Sequence, residues 1–329
     1  MESIPKGLCE GPIFVYALRS VTEAAARAAY EWIGRGERNQ VGQAAAQAMV
    51  DELAQMPIFG KVVVGESLTT GSGSLLLGTG DEIGDPAASR RYDIAVDPVE
   101  GTSYLARGMT NAMAVIALAP LGSMFDPGPA FYMEKFVVPA AAKGRIDPTA
   151  PVEAKLAHLA SILGKSVDEL TVYVLEKPRH RELVERIHGA GARVALYPAG
   201  DVAGALMAAI PESGIDALMG TGGVREGLIS ACAIRALGGE FLGRLDPQLA
   251  TEKAEVAKAG LDTRRWYGVE DLIRSDEVYF SATGVTTGLL FEGVERTRHH
   301  EKTESLMIAG PGARRQLLAT FHPRPEAMA

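Results

Sequence analysis

Apolar residues recur at helical spacing in the first fifty positions and cluster into strand-like runs after that. Ala25, Ala28, Ala29, Trp32 and Ile33 fall on one stripe, which predicts a helix over 20–33. Ser20 and Glu23 have the spacing of a capping box at its start, and Gly34 and Gly36 close it. A second helix is predicted over 41–54, with Ala45, Ala48, Met49 and Leu53 on one face. Lys61 to Gly65 (KVVVG) and Asp93 to Asp97 (DIAVD) read as strands, and the apolar run Asn111 to Ala119 as a third. A Gly/Ser/Thr-rich stretch, Ser67 to Gly80, follows the first of them.

Beyond residue 150 the pattern becomes a regular alternation. Strands are predicted at 171–175, 193–197 and 216–220, helices at 180–189, 201–210 and 226–237, and late strands at 277–282 and 305–309. This rhythm predicts an α/β fold with helix-covered sheets. Pro148, Pro151 and their polar neighbours suggest a boundary between two domains, 1–150 and 151–329.

Composition narrows the function. Apolar residues make up 47% of the 329, enough for a sizeable core. The net charge of −8 and the lack of a basic cluster argue against a nucleic-acid partner. No window of 18 residues is apolar and uncharged, so no membrane span is expected. The N-terminal MESIPKGLCEGPIF lacks the basic-then-apolar order of a signal peptide. The two cysteines, Cys9 and Cys232, support neither a disulfide scaffold nor a zinc site, and a reducing, cytoplasmic location is expected.

The candidate chemistry lies directly after the DIAVD strand, in Asp97-Pro98-Val99-Glu100-Gly101-Thr102. Strand ends of this kind are where ligands gather in α/β sheets. Asp97 and Glu100 offer hard carboxylate oxygens suited to Mg²⁺ or Mn²⁺, and the Val99 carbonyl is a further oxygen. Gly101 lets backbone approach a ligand, and Thr102 adds a hydroxyl. A phosphatase needs such a set, to neutralise phosphate oxygens and acidify a water. The same residue types also suit an ordinary surface turn.

The string resembles the metal-binding signature of the lithium-sensitive sugar phosphatase superfamily, which includes inositol monophosphatases. The closer resemblance is to class II fructose-1,6-bisphosphatases, and it runs along nearly the whole chain. It is carried by WIGRGERN (32–39), VVVGE (62–66), the segment 93–115, YMEK (132–135), KPRH (177–180), PAGDVAG (198–204), GTGGVREG (220–227), RALGGEFLGRL (235–245) and YFSATGVTTGLLFEGV (279–294). It implies a two-domain layered αβαβα fold and a metal-dependent phosphatase acting on a sugar phosphate, with a homo-oligomeric assembly, dimer or tetramer.

For individual residues the resemblance implies metal ligation by Glu66, Asp97, Glu100 and Glu226, with Mn²⁺ or Mg²⁺ as the cofactor. The catalytic set is Thr102, Asp97 and Glu66, with Thr102 holding the attacking water. Substrate contacts fall on Glu100, Gly101, Thr102, Tyr132, Lys177, Pro178, Arg179, Ala199, Gly200, Asp201, Gly222 and Gly223. Lys177 and Arg179 match a basic pair for the second phosphate. Their alternative reading is a solvated loop.

Three departures from the family pattern bear on the metals. Glu37 and Arg38 replace an Asp-Lys pair, and Gly42 stands where a ligating aspartate is expected. The acidic loop after the first strand reads GESLTTGSG, so Glu66 survives while Leu68 and Thr70 replace carboxylates. Arg225 replaces a proline beside Glu226, and Ala199 an acidic residue near Asp201. Asp81, Glu82 and Asp85 could compensate, or form a solvated loop. Lys135 or Arg38 could replace a cation by charge alone. Three readings remain open at this point: an active bisphosphatase with a reduced metal site, a relative adapted to another sugar phosphate, and a non-catalytic sugar-phosphate binder. Outside the motifs, His180 is either a phosphate-orienting residue or a surface residue at a helix start. His299 and His300 are read as a solvated pair.

Overall fold

The computed structural model describes residues 10–66, 69–70, 73–74, 77–310 and 314–324. Leu68 and Cys9 lie outside them. The chain begins with helices α1 (Glu10–Tyr30) and α2 (Arg38–Leu53). The predicted capping box at Ser20 is not a helix start, because α1 runs through it. Ser20 donates its hydroxyl back to the Ala17 carbonyl at 2.8 Å, and Glu23 turns inward to accept from Thr303 at 3.0 Å. The helix extends further because Phe14, Val15 and Leu18 continue the buried stripe. Strands β1 (Phe59–Val64), β2 (Thr69–Thr70), β3 (Gly73–Ser74), β4 (Glu82–Gly84) and β5 (Arg91–Glu100) follow, then the short helix α3 (Thr102–Leu105) and β6 (Met113–Pro120).

The middle of the chain holds β7 (Tyr132–Val138), α4 (Val152–Leu163), β8 (Thr171–Leu175), α5 (Arg181–Gly189), β9 (Arg193–Tyr197), α6 (Asp201–Ala209), β10 (Ala217–Gly223), α7 (Val224–Leu237), β11 (Glu240–Leu245), α8 (Ala250–Lys258) and α9 (Val269–Leu272). The last strands are β12 (Tyr279–Gly284), β13 (Glu295–Arg296), β14 (His300–Ala309) and β15 (Arg314–Pro323).

Two structural units result, and they do not divide at residue 150. One comprises Met1–Ser123 and Glu277–Ala329, the other Met124–Asp276. The reason is strand pairing. β7 joins β10 and β11, so the break precedes it, and β12 returns to pair with β6. The Pro148–Pro151 segment is only a connection inside the second unit.

In the first unit the sheet order is β13-β14-β12-β6-β5-β1-β4, with β15 on the other edge of β14. Alternate residues Ile94 and Val96 of β5 and Ala114, Ile116 and Leu118 of β6 share one core with α1 and α2. Leu18 and Met49, fully buried there, each contribute about 1.5–3 kcal/mol by leaving water. The 81–85 segment is no carboxylate cluster. Glu82 lies in β4, Asp81 caps the Gly78 N–H at 2.8 Å, and Asp85 caps that of Ala87 at 2.9 Å.

The second unit has the sheet order β11-β7-β10-β8-β9. Val172 and Val174 face a core that includes Leu156 and Leu159 of α4 and Ile187 of α5. Tyr173 points the other way and packs against Gly204 of α6. The unit is therefore layered as helix, sheet, helix. The layered α/β class read from the sequence is the fold observed. Among the described residues no helix is long and apolar enough to cross a membrane.

Candidate active site

β1 and β5 are parallel neighbours, with Val64 opposite Ala95. Glu66 and Asp97 therefore lie at the carboxyl ends of adjacent strands, and Glu66 is half-buried. At Asp97–Glu100 the pairing of β5 with β6 shifts register, a bulge that re-aims side chains at the strand end. Asp97 and Glu100 are both buried, at 2% and 4% exposure. The Val99 N–H donates to Asp97 Oδ1 at 3.2 Å. Thr102 donates its hydroxyl proton to the Val99 carbonyl at 2.8 Å. That fixes the hydroxyl with its lone pairs outward, as an acceptor. Between them Gly101 has φ +85°, and a β-carbon there would stand 3.1 Å from the Tyr104 ring, so glycine is required on both counts.

Topology gathers the remaining predicted residues in the second unit. The parallel strands β8, β9 and β10 end, respectively, at the Lys177–Arg179 segment, at Ala199–Asp201, and at Gly222, Gly223 and Glu226. Tyr132 begins the antiparallel β7 and pairs with Gly223, so it shares that edge. The Arg179 guanidinium lies over the Tyr132 ring, 5.1 Å from its centroid. Pro178 is exposed at the first turn of a short 3₁₀ segment, the position that suits proline. Lys135, from the buried side of β7, donates to Asp201. Burial pushes the Asp201 carboxyl up, with the Glu226 charge, against the pull of Lys135. Glu226 folds back over Gly223, where any side chain would collide with it. Burial would raise its carboxyl too, but the Arg225 and Lys135 cations outweigh that and hold it below the usual glutamate range.

Several supporting residues carry no motif and were not read from the sequence. Tyr173 donates its hydroxyl to the carbonyls of Ala199 and Gly200, at 3.1 and 2.8 Å, and so sets the turn that presents Asp201. Glu252 is buried and accepts the N–H groups of Phe131 and Tyr132 at 2.6 and 2.9 Å and that of Gln248 at 2.9 Å, holding the start of β7. Lys135, which the sequence offers as a charge in place of a cation, pairs with Asp201. His180, read as a surface residue or phosphate contact, is in fact buried. Its only sequence signal is its place at the end of the KPRH string.

The donors at the end of β5 suit a hard divalent cation: two carboxylates and a carbonyl, with no soft ligand among them. Among the described residues no three His, Cys, Asp or Glu side chains form a ready-made metal nest.

The model of the family described as bacterial fructose-1,6-bisphosphatase, glpX-encoded, matches residues 13–322. The chain is 38% identical over 315 residues to the fructose-1,6-bisphosphatase class 2 of Haemophilus influenzae, covering 92% of this chain and 93% of the relative. It is 39% identical, over the same spans, to the fructose-1,6-bisphosphatase 1 class 2 of Escherichia coli. Among solved structures, an extragenic suppressor from Pyrococcus furiosus aligns with a TM-score of 0.32 and 11% identity, over 60% of this chain and 72% of that one. By the family match and these relatives, this chain belongs to the glpX-encoded bacterial class 2 fructose-1,6-bisphosphatase family.

Proposed function

We propose that this chain hydrolyses the 1-phosphate of fructose 1,6-bisphosphate, giving fructose 6-phosphate and orthophosphate, with Mn²⁺ or Mg²⁺ as the cofactor. The observation that carries this is the buried Asp97–Glu100 pair beside a Thr102 hydroxyl fixed as an acceptor. Glu66, Asp97, Glu100 and Glu226 are the residues proposed to hold the metal. When bound, the cation would neutralise phosphoryl oxygens and make water more acidic.

The chain's own groups do the rest. Thr102 accepts a hydrogen bond from the attacking water and so aims its oxygen at phosphorus. The new P–O bond forms as the bond from phosphorus to the sugar's 1-oxygen breaks, and that oxygen leaves as the hydroxyl, taking up, directly or through solvent, the proton that the attacking water gives up. Gly101 and Thr102 hold the departing phosphate through their backbone N–H groups. Lys177 and Arg179 hold the other phosphate, and Arg179 can do so with two parallel N–H donors. Asp201 accepts from a sugar hydroxyl, while Tyr132, Pro178, Ala199, Gly200, Gly222 and Gly223 line the sugar. A cytoplasmic dimer or tetramer accompanies this reading.

The test is phosphate release across a panel of sugar phosphates, with Mn²⁺ and with Mg²⁺. Fructose 1,6-bisphosphate is expected to be the preferred substrate, and Asp97→Ala and Glu226→Ala to abolish turnover with folding retained. Full activity in both variants would overturn the metal assignment. Tight binding without turnover under either metal would leave a binding protein in place of an enzyme. Light scattering of the purified protein tests the assembly.

A further inference from the structure

A buried histidine stands behind one of the proposed phosphate ligands. His180 is 4% exposed. Its Nδ1 lies 2.7 Å from the Leu175 carbonyl, and its Nε2 lies 2.8 Å from the Thr221 nitrogen. A carbonyl only accepts and a backbone N–H only donates. Together these contacts select one state of the ring, with the proton on Nδ1 and the lone pair on Nε2. The carbonyl of the same Thr221 accepts from Arg179 twice, from Nε at 3.0 Å and Nη2 at 2.7 Å. Of the five N–H donors of an arginine, two are thus engaged inside the protein. The other three lie on the outer edge of a side chain that is itself exposed. That edge has the forked geometry that matches a phosphate.

We propose that His180 is a positioning residue for substrate binding: by accepting the Thr221 N–H it fixes the backbone of Thr221, whose own carbonyl, in the next peptide unit, aims Arg179 at the sugar's second phosphate. The inference rests on the reading of Arg179 as a phosphate ligand. Thr221 needs such a hold because it follows Gly220, whose φ of +127° is open to glycine and strained for other residues. The Thr221 side chain is tied separately, through its hydroxyl, to Asp246 at 2.6 Å. His180 therefore governs the backbone.

The arrangement works only with a neutral ring. A second proton on Nε2 would face the Thr221 N–H, donor against donor, and release the peptide. Arg179 on the same segment, Asp201 on α6 and Lys135 on β7 are the charged groups around the ring. Burial, reinforced by the Arg179 charge, holds the imidazole below its ordinary range, so the ring is neutral at pH 7. As pH falls through the lowered value the ring gains its proton, and affinity for the phosphate falls with it.

The test is calorimetric titration of the full-length protein with fructose 6-phosphate at several pH values between 5.5 and 7.5, together with steady-state kinetics. Arg179→Ala should weaken binding about 10- to 100-fold, the usual loss for charge-assisted hydrogen bonds. His180→Ala should weaken it about tenfold at neutral pH, raising KM with little change in kcat. His180→Gln, which can offer an oxygen to Thr221 and an N–H to Leu175 but cannot gain a proton, should recover most of that loss. It should also flatten the pH dependence to that of the ligand's own phosphate, which titrates near about pH 6. If Arg179→Ala binds normally, the phosphate reading falls and the inference with it. If Arg179→Ala weakens binding while both His180 variants bind and titrate like the parent protein, the inference alone falls. Should His180→Ala fail to fold, the pH profile of His180→Gln decides: a slope equal to the parent's overturns the proposal.

Discussion

Arg225 reaches one oxygen of Glu226 with both Nε and Nη2, each at 3.2 Å. The replacement noted beside the GTGG string thus puts a cation on a carboxylate proposed as a metal ligand. Both side chains are partly exposed, at 28% and 16%, so the pair is screened and of modest strength.

Removing that cation should free the carboxylate. Arg225→Ala is expected to bind Mn²⁺ more tightly, by up to about fivefold, the equivalent of the ~1 kcal/mol upper range for such pairs. The free-ion electron paramagnetic resonance signal during a Mn²⁺ titration measures this directly, with no turnover needed. Unchanged or weaker affinity would mean that Arg225 does not compete with the metal.

Thr102 is expected to matter for rate and little for folding. Thr102→Val keeps the shape and removes the hydroxyl, and kcat should fall about 10²- to 10⁴-fold, the usual range for a lost proton-handling group. Thr102→Ser should recover most of it. The stability lost with the single bond to Val99 is about 1 kcal/mol, a shift of a few degrees in Tm. A valine variant with parental kcat would remove Thr102 from the mechanism.

Gly101→Ala should damage stability and activity together. The left-handed backbone alone costs an alanine about 1–2 kcal/mol, and its β-carbon would press on Tyr104 and the Asn111 carbonyl. Urea denaturation should show this loss. Activity should fall more than stability, because relief of the strain would shift Thr102.

These residues were legible for different reasons. The runs at 171–175 and 193–197 are apolar segments bounded by polar residues, and both became strands with those bounds. The Asp97–Thr102 string could be found because its chemistry is local. The ends of α1 were misplaced because Ser20 and Glu23 have capping spacing, while their actual partners, Ala17 and Thr303, include one 280 positions away. The unit boundary was missed for the same physical reason: β7 looks like any short strand until its pairing with β10 and β11 is known. Tyr173, His180 and Glu252 act by hydrogen bonds to backbone groups distant in sequence, and no spacing rule marks such a residue.

Glu301 offers a test of the first unit's stability against pH. It is buried, and it accepts from Arg27 Nε at 2.5 Å and Arg296 Nε at 2.7 Å, linking α1 to β14. Burial alone would raise its carboxyl, but the two guanidinium groups outweigh that and hold it below the glutamate range. A folded-state value lower than the unfolded one means stability that is complete above the unfolded value, about 4.3, and lost as pH falls through the folded one. Glu301→Gln should therefore cost about 2 kcal/mol at pH 7, somewhat less than a fully buried pair because Arg27 is 35% exposed. The difference between parent and variant should shrink below pH ~4 and vanish once the carboxyl is protonated. Urea denaturation at pH 7, 5 and 3.5 measures it, and a gap that stayed constant across that range would show that Glu301 stabilises by packing and not by charge.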